Sequence, residues 1–145
     1  MSIEIRSFAE HDRVAVVQIW SDCGLVYPQN DPDKDIDRKL VDGVELFLVA
    51  LVDGEVVGSA MGGYEGHRAW VNYLAVSPER QGTGIARAIM GELERRCREI
   101  GCPKINLQIR KTNSRVIEFY RRIGFVEDDV LCMGKRLIDD SRPMA

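Results

Sequence analysis

The chain has 145 residues, 45% of them hydrophobic and 30% charged, with a formal net charge of -3 at pH 7. That length buries a core without disulfide or metal staples, the composition excludes a disordered chain, and no apolar run approaches the roughly 20 residues of a membrane span. The acidic balance speaks against nucleic acid as a partner, because neutralising phosphate needs a clustered basic face.

In chain order, IEIRSF alternates apolar and polar residues as a half-buried strand does. Ser7 and Glu10 have capping-box spacing for the helix EHDRVAVVQIWSDC that follows. GLVYPQNDPDKDID breaks regular structure with two prolines and an acid cluster, ahead of a short helix around IDRKLVDG. LFLVALV reads as a buried strand, Asp53-Gly54 as a two-residue hairpin turn, and EVVGSAMGGY as the returning strand. A second turn, EGHR, leads into the strand AWVNYLAVSP.

Next comes a helix on which Ile85, Ile89, Leu93 and Cys97 stack at i, i+4 spacing, stopped by Gly101 and Pro103. KINLQIR alternates as a strand, NSRVIEFYRRIG is a helix capped by Asn113 or Ser114, and VLCMGKRLI closes as a last strand. The tail beyond Asp139 is expected to fray. The order β-α-α-β-β-β-α-β-α-β implies one α/β domain over residues 1–145, a mixed sheet with helices on its faces.

Cys23, Cys97, Cys102 and Cys132 form no C-x-x-C pair, and with two histidines in the chain no metal site is expected. Reduced thiols fit a cytoplasmic protein, as does an opening too polar for a signal peptide. No histidine stands where it would activate a cysteine nucleophile.

The densest signal is VSPERQGTGIARAIM, where Gly82 and Gly84 stand at a strand-to-helix junction between Arg80 and Arg87. Glycines at a helix start leave unpaired amides pointing outward at the positive end of the helix dipole, a place that binds phosphate. A P-loop is excluded because no lysine and hydroxyl follow Gly84, and a dinucleotide fingerprint because Arg87 stands where its third glycine belongs. A ligand-free turn is the alternative.

Gln81-x-x-Gly84-x-Ala86, after LAV and Ser-Pro, resembles the coenzyme A pyrophosphate loop of the GNAT superfamily of N-acetyltransferases. TNSRVIEFYRRIGF resembles that family's downstream helix, and the likeness in element order runs from Ile3 to Ile138. NDPDKDIDRKL, LFLVA, GGYEGHR and GKRLI look like the bacterial YpeA-type branch. The resemblance implies a mixed, mostly antiparallel sheet splayed between two central strands. It also implies acetyl-CoA as co-substrate and direct attack by a primary amine of a small molecule or peptide; exposed edge strands in such a sheet leave a homodimer open.

Carried over by resemblance, Gln81, Gly82, Thr83, Gly84, Ile85, Ala86 and Arg87 grip the pyrophosphate. Leu74 and Val76 serve the pantetheine and thioester through main chain, with Ala75 between them among the cofactor-binding residues, Asn113 faces the cofactor, and Tyr120 gives a proton to the leaving sulfur. Asn113 and Tyr120 are seven residues apart, so both share one helix face. Tyr120 also fits a core stripe with Val116 and Ile123, and Asn113 a simple cap.

The base is missing. Where many relatives carry a glutamate, this chain has Trp70 and Gln108. Glu65 and His67 sit in a turn about 20 Å along the strand from Leu74. Asp31, Asp33 and Asp35 read slightly better as a solvated charged loop than as a lid that draws in a cationic amine. Tyr27, Trp70, Asn72, Tyr73 and Gln108 are the expected acceptor-pocket residues, with Trp70 and Tyr73 on opposite strand faces by alternation. The competing readings are a non-catalytic acyl-CoA-binding module and, among enzymes, a protein N-terminal acetyltransferase.

Overall fold

The computed structural model describes residues 1–142. Among them the elements run β1 (Ile3–Ser7), α1 (Arg13–Asp22), α2 (Pro32–Asp42), β2 (Phe47–Val52), β3 (Glu55–Tyr64), β4 (Ala69–Val76), α3 (Ile85–Glu99), β5 (Ile105–Leu107) and α4 (Ser114–Arg122). The sheet order is β1-β2-β3-β4-β5, antiparallel up to β4 and parallel between β4 and β5. Asp53 and Gly54 both take left-handed φ, 51° and 79°, which is the backbone a tight β2–β3 hairpin demands.

Strand β2 is buried on both faces, and its alternation assigns each face to a core. Leu48, Ala50 and Val52 point to the cluster built on Ile85, Ile89, Leu93 and Cys97 of α3. Phe47, Val49 and Leu51 point to Val16, Ile19, Trp20 and Ile36 of α1 and α2. Each fully buried side chain of this kind contributes roughly 1.5–3 kcal/mol. The sheet is thereby clamped between helices, leaving the C-terminal half of β4 as the place where packing opens.

Four expectations are corrected. Ser7 is not a cap: it lies in β1, and its hydroxyl accepts from Arg96 at 2.8 Å. The turn before α1 is closed by Asp12, which accepts from the Ala9 amide at 2.9 Å and from Arg6 at 2.7 and 2.9 Å. The acid-rich segment is the first turn of α2, not irregular chain. Pro32 takes the first helical position, and Asp31 caps it by accepting from the amides of Asp33 (2.9 Å) and Lys34 (3.1 Å).

VLCMGKRLI forms no strand among the described residues, and Val130, Leu131, Met133 and Leu137 stand exposed. Alternation supplies side-chain faces but no partner, and β5, paired only over Ile105–Leu107, offers too short an edge to extend the sheet. The described part of the tail, through Arg142, is also pinned rather than frayed, and the last three residues lie outside the described ones. Asp140 accepts from the Asp31 amide at 2.9 Å and from Arg38 at 2.6 Å, while Arg136 donates to Asn30 Oδ1 at 2.9 Å.

Candidate functional site

Strands β4 and β5 pair at Ala69–Ile105, Trp70–Asn106 and Val71–Leu107, then part. Beyond Val71, β3 is the one strand that pairs with β4 among the described residues, and a cleft of about 2000 Å³ opens along the divergence. Tyr27, Trp70, Asn72, Tyr73, Leu74, Gln108 and Tyr120 all line it. Ser77 donates its amide to Val57 on the β3 side at 2.8 Å, so by alternation the main chain of Val76 turns away from β3; unlike Leu74, neither Ala75 nor Val76 lines the cleft.

A bulge sits where β4 leaves its partner. The β3–β4 register shifts between Ser59 and Met61, and Tyr73 takes a left-handed φ of 54°. Tertiary bonds support it: Trp20 Nε1 donates to Ser59 Oγ at 2.8 Å, Ser59 Oγ donates to the Tyr73 carbonyl at 3.0 Å, and the Tyr73 ring stacks on Trp20 at 3.8 Å. The extra residue resets the alternation. Val71 and Leu74 face the α3 core while Tyr73 and Ala75 face α1 and α2. Trp70, Asn72 and Tyr73 therefore share one side, correcting the expectation that Trp70 and Tyr73 oppose each other.

Gly82 and Gly84 have φ of 78° and 90°, and Gly84 is the N-cap of α3. None of the amides from Gly82 to Arg87 donates a hydrogen bond among the described residues; the first bond of that end runs from Ala88 to the Gly84 carbonyl at 3.0 Å. Thr83 Oγ1 donates to the Arg80 carbonyl at 2.6 Å and Gln81 Nε2 to the Val76 carbonyl at 3.1 Å, tying the loop to the end of β4. Cys23 Sγ donates to the same carbonyl at 3.2 Å, a neighbour that sequence reasoning missed. An unpaired amide row at the positive end of a helix of this length fits a diphosphate. The loop stands outside the lining of the cleft, as does Asn113.

Asn113 caps α4, its Oδ1 accepting from the Val116 amide at 3.4 Å. Tyr120 is 6% exposed, edge-on to Phe119 at 5.1 Å and Phe125 at 5.3 Å. It is thus a core aromatic, yet it lines the cleft and its hydroxyl has no partner among the described residues. Burial pushes its phenol well above the ordinary value, so it stays protonated at neutral pH.

On the acceptor side, the Arg110 guanidinium lies 5.2 Å over the Tyr27 ring, and Trp70 is 39% exposed. Gln108 contacts Cys132 Sγ, another cleft residue that no sequence pattern signalled. Glu65 is consumed by its turn, accepting from the amides of His67 and Arg68, which holds its carboxyl below the usual range. Asp33 pairs with Arg13 at 3.3 Å, and Asp35 accepts the Tyr73 hydroxyl at 2.6 Å.

A sequence model described as the acetyltransferase (GNAT) family matches residues 13–125. Among solved structures, Ard1 from Thermoplasma volcanium superposes with a TM-score of 0.79 at 28% identity, over 87% of this chain and 84% of that one. The ribosomal-protein-S18-alanine N-acetyltransferase from Escherichia coli gives 0.75 at 20% identity, over 88% and 79%. AAC(6')-Iy, in complex with a bisubstrate analogue of CoA and acetylneamine, gives 0.71 at 16%, over 94% and 99%. The last two likenesses speak to the fold.

Proposed function

The chain belongs to the acetyltransferase (GNAT) family and is an acetyl-CoA-dependent N-acetyltransferase; on that premise we propose that residues 1–145 form one cytoplasmic domain passing an acetyl group directly to a primary amine. Within the family we assign it to the bacterial YpeA-type branch, on the segments that carry that likeness. The observation that carries the reading is the unpaired amide row from Gly82 to Arg87, joined through Gln81 to the free edge of β4.

Bound acetyl-CoA supplies an acetyl thioester. Gln81 to Arg87 hold its diphosphate through main chain, with Asn113 beside the pantetheine arm. The Val76 main chain lies on the side of β4 away from β3, where that arm would run, whereas the main chain of Ala75 is turned to Ser59 on β3, a correction to its expected role. The Leu74 amide would donate to the thioester oxygen, drawing charge off the carbonyl. Tyr120 gives its hydroxyl proton to the departing sulfur, and the proton shed by the new amide nitrogen restores the phenol. An alkyl ammonium with a pKa of about 10.4 must lose a proton first. With Trp70 and Gln108 at the strand positions, water in the open cleft takes it. Tyr27, Trp70, Asn72, Tyr73 and Gln108 surround the acceptor.

Titration calorimetry tests the grip: coenzyme A binds with one-to-one stoichiometry and pantetheine, lacking the diphosphate, at least tenfold more weakly. No heat, or equal affinity, overturns the loop assignment. The absence of a carboxylate at positions 70 and 108 favours one second reading, a non-catalytic acyl-CoA-binding module. Thiol release from acetyl-CoA across small amines and peptides decides between them. Peptide N-termini are the alternative acceptor class, and the same panel of small amines and peptides separates them.

A further inference from the structure

Tyr73 holds a left-handed φ of 54° inside a strand, a backbone that a bulky residue keeps only where its surroundings over-determine it. Three contacts do so. The ring stacks on Trp20 at 3.8 Å, the hydroxyl donates to Asp35 Oδ2 at 2.6 Å, and the carbonyl accepts from Ser59 Oγ at 3.0 Å. The third contact fixes the peptide unit that Tyr73 shares with Leu74.

Each proton in that contact has a set direction. An indole nitrogen only donates, so Ser59 Oγ must accept from Trp20 Nε1 at 2.8 Å, and its single proton is left for the Tyr73 carbonyl. Trp20 and Ser59 are both fully buried, so water competes for neither. The peptide between Tyr73 and Leu74 is trans, and its N–H therefore points opposite its carbonyl. With the carbonyl turned to Ser59 on β3, the Leu74 amide is directed away from β3. Strand alternation gives the same direction independently. Ala75 is the register partner of Ser59 and Ser77 donates to Val57, so the main chain of Leu74 turns the other way. Leu74 lines the cleft. A carbonyl that accepts a hydrogen bond also polarises its own peptide, which strengthens the N–H as a donor.

We propose that Ser59, its hydroxyl oriented by Trp20, is a positioning residue for acetyl transfer: by holding the Tyr73 carbonyl it aims the Leu74 amide at the thioester oxygen. Trp20 belongs to α1 and Ser59 to β3, and neither lines the cleft, so the core on the α1 face sets the geometry of a donor in the site. This rests on the transferase reading above and on the role given there to Leu74.

The test is infrared spectroscopy of protein-bound acetyl-CoA, isotope-labelled at the thioester carbonyl, with no acceptor present. In the wild type the carbonyl band lies at lower frequency than in free acetyl-CoA. In Ser59→Ala it moves at least halfway back, whereas Ser59→Thr, which keeps the hydroxyl, holds it at the wild-type position. Turnover follows the band: kcat falls about 10–100-fold in Ser59→Ala, less than for outright loss of an oxyanion donor, and stays within threefold of wild type in Ser59→Thr. Calorimetric affinity for acetyl-CoA stays within threefold in both. Trp20→Phe keeps an aromatic ring against Tyr73 but releases the Ser59 hydroxyl, and gives a smaller shift and a smaller kcat loss in the same direction. It carries the test if Ser59→Ala does not fold. A band unmoved in these variants, equal kcat losses in Ser59→Ala and Ser59→Thr, or a loss shared equally by kcat and cofactor affinity overturns the proposal and leaves the Leu74 assignment standing. A wild-type band at the free position overturns that assignment as well, and absence of turnover on every amine overturns the proposal together with the transferase reading.

Discussion

Tyr120→Phe separates chemistry from architecture. The ring is 6% exposed and packs edge-on between Phe119 and Phe125, contacts that phenylalanine preserves. The hydroxyl has no partner among the described residues, so its removal forfeits no internal hydrogen bond. Deleting an unpartnered polar group on a buried ring leaves stability unchanged or raises it by up to about 1 kcal/mol. For a chain of this size that is a rise in midpoint of about 0–5 °C. Turnover, by contrast, loses a proton donor and falls roughly 10²–10⁴-fold. The assay pairs thermal unfolding with thiol release from acetyl-CoA, and calorimetry gives cofactor affinity. A drop in midpoint of several degrees would mean the hydroxyl was bonded after all. Unchanged turnover, or equal losses in turnover and cofactor affinity, would remove Tyr120 as the acid.

Four other outcomes follow from named geometry. At Gly84 a β-carbon meets nothing within 4 Å, but φ is 90°, so Gly84→Ala destabilises by about 1–2 kcal/mol through backbone strain alone. It also weakens coenzyme A binding at least tenfold. Gly91→Ala, in the open interior of α3, stabilises by about 0.5–1 kcal/mol and leaves that binding unchanged, as denaturant titration and calorimetry would read. At Gly62 a β-carbon would come within 2.9 Å of the Leu46 carbonyl and of Leu93, and Gly62→Ala lowers stability by about 1–3 kcal/mol by denaturant titration. The Asp140 carboxyl is held down to about 2 by Arg38 and by the Asp31 amide. Its contribution is therefore complete above the ordinary carboxylate value of 3.8 and is lost as pH falls toward 2. Asp140→Asn flattens that part of the acid-unfolding curve.

Much of this was legible from residue order, wherever the cause lies within a turn or two of its effect. The stripe Ile85, Ile89, Leu93 and Cys97 faces the core as its spacing demands. Asp53-Gly54 forms its hairpin, and Asn113 caps its helix. The start of α2 is legible too: Asp31 before Pro32 is a cap followed by a first-turn proline, although the acids around it also suit an irregular charged loop. The loop from Gln81 to Arg87 declared itself through glycines whose φ only that residue adopts cheaply.

Other features have their causes far away in the chain. The bulge that turns Tyr73 to the side of Trp70 and Asn72 depends on Ser59 and Trp20, and no alternation within AWVNYLAV encodes it. The alternating residues of VLCMGKRLI specify faces, whereas a strand also needs a neighbour's amides, and β5 is too short to give them. Asp140 is indistinguishable in sequence from any tail acid until the fold brings it to Arg38 and the capped end of α2. Sequence alone determined the helices, hairpins and glycine loop, because periodicity and backbone preference act over a few residues. Tertiary structure alone decided the direction of Tyr73, the partner of Asp35 and the anchoring of the C-terminal segment, because hydrogen bonds and stacking between distant segments exist only once the sheet is assembled.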